Sequence, residues 1–166
     1  AGFGALRGVI VLLVVAAVWG GTALLRGGRR HVPPPEATTW YERGTANLRE
    51  GAYFQASKAL EQAVALDPAF ALARARLVEA YAEMDLVDKA REELLQAIAL
   101  VPDQAGLTGA ESAYLDAVGA TLRRDFPAAI ATYAAVVERA SGAEKAVASV
   151  DLGRAYERND NLDRAI

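Results

Sequence analysis

Cysteine is absent from the 166 residues, and histidine occurs once. A disulfide framework, a thiolate metal site, a c-type haem attachment and a cysteine nucleophile are all excluded, because each needs a thiol. His31 has no second His or Cys to complete a ligand set, so it reads as a surface residue and no metal is expected. The GxGxxG, GxxxxGK(S/T) and HExxH patterns are missing, and no serine shares a fold unit with a histidine. No catalytic residue, cofactor or small-molecule substrate can be nominated. Positive charge is also scarce where a nucleic-acid reader would need it: residues 1–31 hold four Arg and no acid, leaving 14 bases against 21 acids, or −7, for residues 32–166. Such a body would repel phosphates, which disfavours a nucleic-acid partner.

What the chain does have is alanine, 37 of them, within a composition that is 53% hydrophobic and 23% charged. Its length suits one domain with a core large enough to fold. The 15 Arg to 3 Lys fit a GC-rich bacterial genome.

Residues 8–25, GVIVLLVVAAVWGGTALL, carry no charge. As a helix they would rise about 27 Å, close to the hydrocarbon thickness of a bilayer. They read as one transmembrane helix in contact with membrane lipid, with Trp19 at headgroup level and Arg26, Arg29 and Arg30 as an interfacial stop. A signal peptide, with Arg7 as its basic region and Gly21-x-Ala23 as a cleavage site, is the competing reading, although the run is long for one. The three downstream Arg against one upstream favour a cytoplasmic over a periplasmic body, at the bacterial inner membrane. Small residues recur four apart, Ala16 with Gly20 and Ala17 with Gly21, as they do where a second membrane helix approaches closely. Residues 1–31 are thus expected to form an anchor with a basic flank, and 32–36, containing Pro33-Pro34-Pro35, a short stiff linker.

Beyond the linker the chain repeats itself. An offset of 34 places Pro68 over Pro102, Ala56 over Ala90, Leu60 over Leu94, Ala63 over Ala97 and Leu66 over Leu100. That is the length of a helix, a turn and a second helix ended by a proline that cannot continue it. Apolar residues recur at helical spacing, and strand-like alternation is missing. Glu79 and Glu83, one turn apart, read as a solvated helix face rather than an acid–base pair.

These residues resemble the tetratricopeptide repeat family from about Ala37 onward. The first repeat, 37–70, supplies Trp40, Gly44, Ala56, Leu60, Ala63 and Pro68, and the second, 71–104, supplies Leu77, Tyr81, Ala90, Leu94, Ala97 and Pro102. Arg43, Asn47, Arg74 and Val78 depart from the pattern. A third unit, 110–143, fits at Ala117, Ala129 and Tyr133 after an insertion near Pro102–Gly109, and a fourth, 146–166, is incomplete, so a longer chain is expected. The resemblance implies an all-α architecture over 37–166, a helix-turn-helix solenoid behind the transmembrane helix.

In that family the first helices of successive repeats line a concave groove that holds a peptide or a partner helix. Carried over, the partner-binding surface would be Tyr41, Thr45 and Arg49 from the first repeat, Leu72, Glu79 and Glu83 from the second, and Tyr114, Arg154 and Arg158 beyond. Tyr41 and Thr45 replace the Lys and Asn with which one subclass grips chaperone tails, which argues against that ligand. The expected function is a non-enzymatic, membrane-anchored scaffold for a protein partner, with an accessory subunit of a larger membrane complex as one form of it. Two alternatives stay open: the sensor region of a signalling protein such as a transmembrane serine/threonine kinase, and a secreted or periplasmic repeat protein released from a signal peptide.

Overall fold

The computed structural model describes residues 30–159. Seven α-helices lie among them: α1 Pro35–Arg49, α2 Tyr53–Leu66, α3 Ala71–Glu83, α4 Val87–Leu100, α5 Gly109–Leu122, α6 Phe126–Arg139 and α7 Gly142–Arg158. The helices pack in sequential pairs, α1 on α2, α3 on α4 and α5 on α6, and α7 packs on α6.

The three turns inside these pairs share one geometry. Gly51, Asp85 and Arg124 each adopt a left-handed backbone, with φ of 74°, 57° and 62°. The N–H of the next residue donates back to a carbonyl five positions earlier, Ala52 to Asn47, Leu86 to Tyr81 and Asp125 to Ala120. This closure satisfies a carbonyl that the end of a helix leaves without a partner. Glycine meets that conformation at no steric cost, whereas Asp85 and Arg124 adopt it against their preference.

Close packing within each pair depends on small residues. A Cβ on Gly44 would stand 2.5 Å from Cγ of Leu60 and 3.3 Å from the Ala56 carbonyl, so only glycine lets α1 approach α2 this closely. Ala56, Ala63, Ala90, Ala97, Ala117 and Ala129 are fully buried at the corresponding crossings. Leu48, Leu60, Leu77, Val78 and Val118 fill the space around them as the main core.

The connection from α4 to α5 is the long one, with a 3₁₀ turn at Pro102–Gln104 and left-handed Asp103 and Gln104. It coincides with the insertion read near Pro102–Gly109. Thr108 ends it: its hydroxyl accepts from the Glu111 N–H while the Glu111 carboxylate accepts from the Thr108 N–H, a capping box that starts α5.

The expectation of a transmembrane helix ahead of the solenoid, and of an inner-membrane location built on it, is corrected by these helices. No helix among the described residues is long and apolar enough to cross a membrane. The helices run 13 to 17 residues and mix apolar with charged side chains, as in Val87–Leu100, whereas a span needs about 20 mostly apolar ones. Residues 8–25, on which lipid contact rested, and Ala16, Ala17, Gly20 and Gly21, proposed as a helix contact, lie outside the described residues.

Candidate partner-binding groove

The first helices of the pairs, α1, α3 and α5, converge with α7 on one inner face. Two cavities lie along it. The first, of about 450 Å³, is bounded by residues 30–33, by Tyr41 on α1, by Phe70 and Leu72 at the start of α3, and by Leu107 and Glu111. The second, of about 300 Å³, is bounded by Tyr41, Leu72, Arg76, Ala110, Glu111, Tyr114, Tyr133, Val136, Val147 and Asp151. Tyr41, Leu72 and Glu111 belong to both walls, so the two chambers form one groove.

Each wall residue is held by identifiable contacts. The Tyr41 ring leans on Phe70 with centroids 4.9 Å apart, leaving it half-buried. Residues 30 and 31 cross the mouth of the first chamber, Arg30 donating to Glu111 at 2.8 Å and His31 Nε2 lying 2.6 Å from the Asp67 carboxylate. The floor of the second chamber is ionic. Arg76, only 5% exposed, donates through Nη1 to Glu79 at 2.8 Å, and through Nη1 and Nη2 to the two Asp151 oxygens at 3.1 Å each. Its guanidinium also stacks 4.2 Å from the Tyr114 ring centroid, and the Tyr114 hydroxyl donates to Glu79 at 2.7 Å.

A buried guanidinium is tolerable only with such partners, since burial alone disfavours the charged form. Burial opposes ionisation of Arg76, but the surrounding Tyr114, Glu79 and Asp151 outweigh it and hold the guanidinium firmly protonated. Burial pushes the Asp151 carboxyl above its ordinary range, with Arg76 acting against that push. The phenols of Tyr114 and Tyr133 are raised well above theirs, again chiefly by burial, so both remain neutral and Tyr114 keeps the proton it donates to Glu79.

The structure brings some of the expected partner-binding residues together and employs others internally. Tyr41, Leu72 and Tyr114 meet around the second chamber. Glu79 is buried on Arg76 and Tyr114, rather than standing on a solvated face with Glu83. Glu83 accepts from Arg158, and Arg154 donates to the Leu48 carbonyl, so both arginines tie α7 back to the first two helix pairs. Thr45 is buried, its hydroxyl donating to the Tyr41 carbonyl at 2.8 Å. Arg49 is exposed in the last turn of α1 and lines neither chamber.

Sequence reasoning missed Arg76 and Asp151, and gave Tyr133 a place in the repeat pattern but none in the groove. A signal for the first was present, because an arginine amid the small residues of ALARARLVEAY requires a counter-charge once that helix is buried. Its partner stands 75 residues away, beyond any helical spacing. Among the described residues no three His, Cys, Asp or Glu side chains gather as they would around a metal ion.

Small residues at the helix crossings and repeated left-handed turns are what a helical repeat requires. Residues 47–110 match the Tetratricopeptide repeat family. The match runs from the last turn of α1 to the start of α5, and it supports tetratricopeptide repeats over that stretch. No curated protein matches the chain. Tetratricopeptide repeats are generally a non-catalytic protein-interaction module, and those matched here suggest a protein-interaction scaffold.

Proposed function

We propose that the scaffold holds its partner in the inner groove, with Tyr41, Leu72 and Tyr114 as the contacting wall. The observation that carries this reading is that Tyr41 and Leu72 each line both chambers, so one extended segment can run along the groove and touch both. Tyr41 offers broad area from a ring already fixed against Phe70, which lowers the entropy lost when a partner binds. Glu79, Glu83, Arg154 and Arg158 act as structure rather than as contacts in this reading, since each is engaged within the chain.

The test is recovery of partners from source cells, quantified by mass spectrometry, with wild type and with the Tyr41→Ala/Leu72→Ala double variant. Two anchors should together cost about 2 kcal/mol, so a groove partner is expected to fall more than ten-fold. Leu95→Ala/Ile98→Ala, on the exposed face of α4, is the control and should leave recovery unchanged. A partner lost with the α4 variant and retained with the groove variant would place binding on the outer face.

A further inference from the structure

We propose that the second chamber accepts an uncharged aliphatic side chain together with its own peptide carbonyl, and rejects charged tails of either sign. This rests on the groove reading above and adds the chemistry of the ligand. The chamber wall carries three charged side chains, Arg76, Glu111 and Asp151. Each is already committed within the chain, Arg76 to Asp151 and Glu79, and Glu111 to Arg30 and to the Thr108 N–H. An entering carboxylate would meet Asp151 with its counter-charge taken, and an entering ammonium would meet a buried guanidinium. The ammonium would lose water without gaining a free partner, and a carboxylate would add negative charge beside Asp151, Glu79 and Glu111.

The rest of the wall is apolar, from Leu72, Val136 and Val147 and the ring faces of Tyr41 and Tyr114. At about 300 Å³ the chamber holds one branched side chain and its flanking peptide group. Its unmet polar demand is for an acceptor: Nε of Arg76 is buried and has no partner. A carbonyl oxygen supplies an acceptor without bringing charge.

The experiment titrates the intact chain at neutral pH with three probes, N-acetyl-leucine amide, N-acetyl-leucine as its carboxylate and N-acetyl-lysine amide, following the methyl signals of Val136 and Val147 by NMR. The leucine amide should move both signals, and each charged probe should bind at least ten-fold more weakly. Ala110→Trp, which fills the chamber from its edge, should abolish the response with the circular dichroism unchanged. Should that variant unfold, Val147→Phe serves the same purpose. Charged probes binding at Val136 and Val147 as tightly as the leucine amide would overturn the ligand chemistry while leaving the groove reading intact. Shifts confined to Leu95 and Ile98 would overturn both. No response to the leucine amide would overturn the inference.

Discussion

Contacts between sequential helices and contacts across the groove are built from opposite materials. Within a pair, α1 meets α2 through Gly44, Ala56 and Leu60, where missing side-chain volume permits close approach. Across the inner face, α7 reaches α3 and α1 through Arg76–Asp151, Glu83–Arg158 and Arg154 to the Leu48 carbonyl. The backbones of α7 and α3 make few close approaches, so long charged side chains span the gap. Shape fixes neighbours, and charge fixes the distant pair. The two kinds of contact should respond differently to mutation and to pH.

The largest effect is expected where charge is buried. Asp151→Ala leaves Arg76 with only Glu79, and should cost about 3 kcal/mol of unfolding free energy by chemical denaturation. Combining it with Arg76→Met should recover most of that loss, because the uncompensated guanidinium is gone. If the double variant is as unstable as the single, the pair contributes shape rather than charge.

Overpacking a helix crossing comes next. Ala90 is fully buried between α3 and α4, and Ala90→Trp should cost about 1–3 kcal/mol by forcing those helices apart. Gly44→Ala should act in the same direction, since its new methyl meets Leu60 inside van der Waals contact. Unchanged thermal stability in Ala90→Trp would remove the small-residue account of the pairs.

The smallest effect lies on the outer surface between the first two pairs, where the Glu61 carboxylate accepts from the Tyr81 hydroxyl at 3.0 Å and from the Lys58 ammonium at 2.8 Å. Burial alone would raise the Glu61 carboxyl, but the bonds from Lys58 and Tyr81 prevail and lower it below its ordinary 4.5. A carboxylate with a lowered folded-state pKa stabilises above its ordinary value and loses that contribution as pH falls through the lowered one. Glu61→Gln should therefore cost about 0.5 kcal/mol at pH 7, as half-exposed pairs do, and nothing at pH 2. A cost that persists at pH 2 would mean that shape, not charge, makes this contact.

Much of the helix pairing was legible. The offset of 34 that superposed Ala56 on Ala90 and Leu60 on Leu94 identified side chains that are buried at equivalent crossings. Ala117 and Ala129 of the third unit are buried as well, and Asp125 caps α6 by accepting from the Ala128 N–H. The groove was legible in part. Tyr41, Leu72 and Tyr114 line it, whereas Glu79, Glu83, Arg154 and Arg158, read as open to a partner, are drawn into internal bonds. The membrane helix expected ahead of the solenoid has no counterpart among the described residues.

Helical periodicity, the position of each turn and the small residues that let paired helices touch are local properties, repeated within about 34 residues, and a chain read in order displays them. Which charges meet across the groove is a different matter. Arg76 and Asp151 become partners only because the stacked pairs curve until α7 faces α3, and that curvature sums small rotations at every helix contact. A guanidinium and a carboxylate 75 residues apart carry no mark of each other in the sequence. Burial then decides their role, since the same two groups on a wet surface would contribute little and be open to a partner.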